Sequence, residues 1–170
     1  MDNDFFFKSK INNFPDIQDR ILRSINAFGQ YCMRSYNQSI SNTDWHLDSK
    51  IKRPYFEFIK KPIEEHCILV SEWVGNNSKV TPENIWFQQY LINDYHGTHT
   101  HMYNNLNNVM FIELPEKTAT QFSMGTKTFQ IDVEEGDIIT FPGFLPHHSP
   151  KNNTNFRKTI ISFNSNVEIE

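Results

Sequence analysis

Three histidines fall within six residues in the stretch HGTHTH: His96, His99 and His101. Side chains two apart on an extended chain share a face, so His99 and His101 can offer two imidazoles to one ion while His96 points away. Two ligands do not make a metal centre, and a third must come from elsewhere in the chain. FPGFLPHHSP supplies His147 and His148, the first of them 46 residues beyond His101. Adjacent strand residues face opposite ways, so only one of the two is expected to bind. Three imidazoles on one side of an ion would leave positions open for substrate or oxygen. Ten residues after His147 stands Arg157, with Thr159 on the same strand face. A fixed guanidinium beside a hydroxyl suits bidentate capture of a carboxylate. Each feature alone has an ordinary explanation, since imidazoles serve as hydrogen-bonding groups and arginines cap strand ends. In this order they point to a metal centre with a carboxylate clamp.

The surrounding pattern says what must position these groups. From Pro15 to about Tyr36, Ile17, Ile21, Leu22, Ile25 and Phe28 recur at helical spacing behind a proline suited to a first turn. A second amphipathic helix is predicted from near Pro62 to near Gly75, with Ile63, Cys67, Val70 and Val74 on one stripe and the glycine as its cap. His66 lies in that helix as a structural or surface residue. After GNNSKVTPEN the helical period gives way to short β-rich runs, IWFQQYLI, LNNVMFIEL, TQFSM, KTFQIDV, DIITF and KTIISFN, separated by turn residues. The expected architecture is mainly β, a sandwich or barrel braced by N-terminal helices, with the histidine cluster at the mouth of an early strand.

Composition narrows the function classes. A chain of 170 residues with 38% hydrophobic and 14% aromatic content can bury one sizeable core, so one domain is expected. The net charge of −4 comes from 16 basic and 20 acidic residues without blocks, which disfavours nucleic acid and a membrane-seeking face. The opening MDNDFFFKSK is acidic with only three apolar residues in a row, unlike a secretory signal, and no later run is long enough to span a bilayer. A cytoplasmic location follows as the expectation. Cys32 and Cys67 form no CxxC and read as reduced, buried thiols.

The segments HTHMYNNLNNVMFIEL, GDIITFPGFLPHHSPKNN and RKTIISFN resemble the iron(II)- and 2-oxoglutarate-dependent oxygenases, most closely the phage and bacterial 2OG-Fe(II) oxygenases with their prolyl-hydroxylase-like members. The resemblance spans about Ile85 to Val167, and FPGFLPH selects His147 over His148. It implies a double-stranded β-helix, a cupin-like jelly roll, over residues 84–167, with residues 1–80 as a helical support region of the same domain. It further implies Fe(II) on His99, His101 and His147, with 2-oxoglutarate as cosubstrate held through its distal carboxylate by Arg157 and Thr159. Tyr90, nine residues before His99, is similar to a tyrosine that lies near the cosubstrate in such enzymes, and Trp86 and Gln88 share its strand face. The implied reaction consumes O2, decarboxylates 2-oxoglutarate to succinate and hydroxylates a small-molecule or peptide substrate. His101 stands where the more usual triad has an aspartate, so the ion would keep more of its positive charge. Asp94 is assigned to a turn or to the outer sphere of the site, and Met102 replaces a proline usual in this branch. A phage origin fits the resemblance and the abundance of asparagine.

Two other readings compete. A cupin-type three-histidine dioxygenase would bind substrate directly to iron without 2-oxoglutarate, but it usually carries a glutamate about four residues after the pair, where Asn105 and Leu106 stand. A non-catalytic jelly-roll module would bind a sugar or protein and need no metal. Substrate identity and oligomeric state are not encoded in any readable motif, and the FFF run fits either a core or an interface.

Overall fold

The computed structural model describes residues 5–29, 32–35, 39–75, 77–103 and 105–169. In chain order the elements are β1 (Phe7–Lys10), α1 (Phe14–Phe28), β2 (Met33–Ser35), β3 (Ile40–Thr43), α2 (Phe56–Val74), β4 (Ser78–Tyr90), β5 (His96–His99), β6 (Leu106–Glu113), β7 (Gln121–Met124), β8 (Lys127–Gln130), β9 (Asp137–Pro142), β10 (His147–Ser149) and β11 (Lys158–Ile169). They form a seven-stranded sheet, β1-β9-β6-β11-β4-β3-β2, and a four-stranded sheet, β5-β10-β7-β8. Every pairing is antiparallel.

Both expected helices are present with different ends. The first stops at Phe28, where Gly29 caps it by donating its N–H to Ile25 O. Met33–Ser35 form β2, so the helix expected to about Tyr36 ends earlier. The second begins six residues before Pro62, at Phe56, so the proline lies inside it. Ile59, Ile63, His66, Cys67 and Val70 make one buried stripe, and burying Tyr55 and Ile59 extends the helix upstream of the proline. Gly75 ends it at φ 150, a conformation that favours glycine.

The large sheet separates two cores. On its outer face Ile21, Ile25, Ile59, Ile63 and Val70 pack against Phe87, Met110, Ile112, Ile161 and Phe163. On its inner face Tyr90, Val109, Phe111, Ile139, Phe141 and Ile160 pack against Phe122 of the small sheet. Successive residues of β4, β6 and β11 alternate between these cores, so both faces read as hydrophobic or buried. The FFF run divides in the same way, with Phe6 edge-on to Phe122 and Phe7 against Trp73. At the start of β9 the backbone passes so close to α1 that a Cβ on Gly136 would lie 2.7 Å from the Phe14 ring. Cys32 and Cys67 are free thiols, both raised well above the ordinary value by burial.

Candidate active site

β5 and β10 pair with His147 opposite His99, which brings the two distant histidine segments together. His101 lies two residues past β5, where its N–H donates to Gly143 O at 2.8 Å and so ties it to the loop that carries His147. The ligand atoms of His99, His101 and His147 all lie within 4.8 Å of one another. Each ring is oriented through its Nδ1. His99 is bonded to Gly97 O at 2.8 Å, His101 to Asn164 Oδ1 at 2.8 Å and His147 to Leu145 O at 2.9 Å. Carbonyl oxygens only accept, so in each ring Nδ1 carries the proton and Nε2 keeps its lone pair. That is the arrangement a metal-binding imidazole needs. Burial, reinforced by the neighbouring imidazoles, lowers His147 to about 3 and lowers His99 in the same direction. Both are therefore neutral at neutral pH and free to ligate. The donor set fits a divalent ion of the iron or zinc type.

His96 departs from the parity expectation. Its ring stacks on His99 at a centroid distance of 4.0 Å and 24°. The β5–β10 register shifts between His147 and Ser149, so that the four residues His96–His99 on β5 oppose the three residues His147–Ser149 on β10. The extra residue turns His96 to the side of His99, which a regular strand would forbid. Trp86 stacks on His101 at 5.9 Å, and Trp45, largely exposed, packs edge-on against Trp86.

The cavity that holds the triad runs between the two sheets. Trp86, Gln88 and Tyr90 line it together, as their shared strand face requires, with Asn107, Ser162 and Asn164 on the large sheet and Thr120 and Ser149 across from them. Arg157 and Thr159 do not reach it. Arg157 donates from Nε and Nη2 to Glu113 at 2.7 and 3.0 Å, and Thr159 donates to the same carboxylate. The residue between them faces inward. Lys158 is fully buried, and its Nζ donates to Ser149 Oγ at 2.7 Å and to Thr118 O at 2.5 Å. It lies 5.1 Å from the ring centroid of Tyr90, its cross-strand neighbour. Burial lowers its pKa from 10.5 to about 7, and among the described residues it forms no ion pair with a carboxylate.

Four buried side-chain atoms among the described residues lack a hydrogen-bond partner: Tyr90 Oη, both amide atoms of Asn107 and His148 Nδ1. All belong to residues lining this one cavity. Unpaired buried polar groups are rare and costly, so their convergence marks a surface built for a ligand. Asp94 lies apart from the site, its carboxylate accepting from Leu91 N and Ser41 Oγ in a turn.

A search of solved structures places this architecture. A prolyl-4-hydroxylase from Pseudomonas putida superposes with a TM-score of 0.67 at 7% identity, covering 95% of this chain and 92% of that one. The fold is that of the 2OG-Fe(II) oxygenases. A Trichoplax adhaerens prolyl hydroxylase, solved with a hypoxia-inducible-factor peptide fragment, matches at a TM-score of 0.69 and 12% identity over 95% and 83% of the two chains. The non-heme α-ketoglutarate-dependent epimerase SnoN from nogalamycin biosynthesis matches at 0.71 and 11% over 96% and 78%. The 2OG-Fe(II) oxygenase fold thus hosts more than one reaction among these neighbours. No protein-family model matches the sequence, and no curated protein matches it. No helix among the described residues is long and apolar enough to cross a membrane.

Sequence reasoning missed Lys158, Asn164, Asn107 and the placement of His96. Lys158 carried a usable signal in its spacing, one residue beyond Arg157 and on the face of Ile160 and Ser162. That face is unmarked in the sequence because β11 is buried on both sides.

Proposed function

We propose that this protein is an iron(II)- and 2-oxoglutarate-dependent oxygenase that hydroxylates a small-molecule or peptide substrate. His99, His101 and His147 would hold iron(II) through Nε2, and the iron with 2-oxoglutarate and O2 would supply the oxidising power, with succinate as a product. The carrying observation is Lys158, a buried ammonium without a carboxylate partner, bonded to Ser149. Ser149 lies two residues from His147 on β10, about 7 Å along a strand. That separation suits a five-carbon dicarboxylate with one end at the triad and the other on Lys158. Tyr90 adds a phenol donor, kept protonated by burial and set beside Ser149. Thr120 lines the same cavity.

The remaining side chains orient and exclude water. Asn164 fixes the His101 ring, the carbonyls of Gly97 and Leu145 fix the other two, and Phe141 packs edge-on against His147 at 4.8 Å. Val109, Phe141 and Ile160 give the cavity an apolar floor that strengthens electrostatic contacts within it. Arg157 serves the fold through Glu113 and takes no part in cosubstrate binding.

The test is an anaerobic visible spectrum of the protein titrated with iron(II) and then 2-oxoglutarate, for wild type, Lys158→Met and Arg157→Ala. A metal-to-ligand charge-transfer band in wild type and Arg157→Ala, weakened at limiting cosubstrate in Lys158→Met, supports the assignment. Iron binding with no band in any of the three would instead favour direct substrate binding to a three-histidine centre.

A further inference from the structure

A charge inventory of the cavity leaves one positive charge unanswered. Its lining contains imidazoles, amides, hydroxyls and aromatic rings, and no carboxylate among the described residues. Two acidic groups close to the site are committed elsewhere, Asp94 to its turn and Glu113 to Arg157 and Thr159. Lys158 stands directly behind that lining, its ammonium on the lining residue Ser149, so a divalent ion on three neutral ligands together with this charge would exceed the charge of a dicarboxylate by one. In a water-poor cavity such an excess is unfavourable until an anion answers it.

Asn107 supplies the second observation. It is 3% exposed, and neither its amide oxygen nor its amide nitrogen has a partner. Its register neighbours are Asn164, which holds His101, and Phe141, which packs on His147. Its unfilled N–H is therefore presented beside the two residues that steady the triad. An amide left open on both sides also accepts a donor next to whatever its nitrogen serves.

We infer that the substrate to be oxidised carries an oxyanion of the carboxylate class beside the triad, where Asn107 Nδ2 donates to it and Asn107 Oδ1 accepts from an adjacent O–H or N–H of the same molecule. The inference rests on the proposed function and names the substrate class for that site. Charge separates this reading from its nearest rival, a neutral amide, which would pair with Asn107 equally well but leave the cavity cationic.

The experiment uses the full-length protein loaded with cobalt(II) and 2-oxoglutarate and follows the cobalt visible bands during titration with acetate or with acetamide, two probes of one shape. Acetate is expected to bind at least tenfold more tightly. His101→Asp, which adds the missing negative charge, should abolish that preference. Asn107→Leu should weaken acetate severalfold while raising the melting temperature of the metal-free protein, because an apolar isostere removes a buried, unpaired amide. Acetamide binding equal to or tighter than acetate, or an acetate preference and affinity unchanged in both variants, would overturn the inference. If 2-oxoglutarate leaves the cobalt spectrum unchanged, the proposed function fails and this inference with it. A ternary complex without acetate preference refutes the inference alone.

Discussion

Asn107 and Asn108 are adjacent, both buried, and opposite in their circumstances. Asn108 turns to the helix side of the large sheet, where Nδ2 donates to Ser165 Oγ and Phe163 O at 2.7 and 3.1 Å and Oδ1 accepts from Thr140. Thr140 in turn bonds His66 Nε2 at 2.6 Å, and His66 Nδ1 bonds Ser9 at 2.7 Å. The chain has one consistent direction, from the Ser9 hydroxyl through a neutral imidazole to the amide, and burial keeps His66 neutral by lowering it to about 4. Across the sheet the cavity side holds all four unpaired buried polar atoms found among the described residues. Two polar clusters of similar burial thus differ in closure. The closed one fastens β1, α2, β9, β6 and β11 to each other, and the open one is left for a ligand to complete.

Breaking the closed cluster should have the largest effect. Asn108→Leu takes away the acceptor of the Thr140 hydroxyl proton and the donor that serves Ser165 Oγ and Phe163 O, and adds no replacement. A destabilisation of about 3–4 kcal/mol is expected, the scale of a disrupted buried network, with a normal iron spectrum in the fraction that folds. Urea denaturation measures it. A loss under about 1 kcal/mol would mean the cluster is no more structural than the open one.

Lys158→Met sharpens the contrast because its two effects have opposite signs. Removing a buried ammonium should leave stability unchanged or raise it, since no carboxylate partner is stranded. Removing the charge-assisted contact should cost about 2–3 kcal/mol of 2-oxoglutarate affinity, or roughly a hundredfold. Calorimetric titration of the metal-loaded protein, paired with a melting curve, reads both. A variant that loses stability and keeps affinity would place Lys158 in the structural class.

How far the sequence revealed this division depends on which strands show one face to water. The helices, the β-rich second half, the meeting of HTH with one of His147 and His148, and the inward row of Trp86, Gln88 and Tyr90 follow from spacing, the choice of His147 came with the family resemblance, and the structure contains each. Two expectations were limited for two different reasons. At His96 a register shift breaks the alternation locally, and its signal in HGTHTH is Gly97, an isolated glycine inside the strand. At Arg157 the alternation is intact but invisible, because β11 is buried on both faces from Lys158 to Ser165, and a count of ten residues lands on the side chain that turns to Glu113 rather than on its inward neighbour. The open amide of Asn107 could not have been found either, since in NNLNN nothing distinguishes an asparagine with three partners from one with none.

A third measurement follows from the depressed pKa of Lys158, lowered to about 7 by burial. Folding lowers this pKa from 10.5, so the cost of burying the charge is present below about pH 7 and is relieved as pH rises toward the unfolded value. Ligand binding runs the other way. A dicarboxylate needs the ammonium, so above pH 7 each binding event takes up a proton, and affinity should fall by up to about tenfold per pH unit, near 1.4 kcal/mol. His96 and His147, both lowered to about 3, stay neutral throughout that range and leave the slope to Lys158. Titrations of 2-oxoglutarate in buffers of differing ionisation heat would detect the proton. No uptake at pH 8 would mean the lysine is already charged before the ligand arrives.

The smallest effect is expected where a functional role looked plausible from spacing alone. Arg157 is bidentate to Glu113, but its side chain is 29% exposed and that of Glu113 23%, so water already solvates part of the pair. Exposed and half-exposed ion pairs contribute little, and Arg157→Ala should cost below about 1 kcal/mol. Glu113 retains the Thr159 hydroxyl as a partner, which limits the penalty of leaving it behind. Because Arg157 faces away from the cavity, 2-oxoglutarate affinity should be unchanged within a factor of two to three, against the hundredfold loss in Lys158→Met. The two variants differ by one position on one strand, so the ratio of their affinities measures which face of β11 binds the cosubstrate. A ratio near one, with both affinities reduced, would mean that the strand shifts register when the ligand enters.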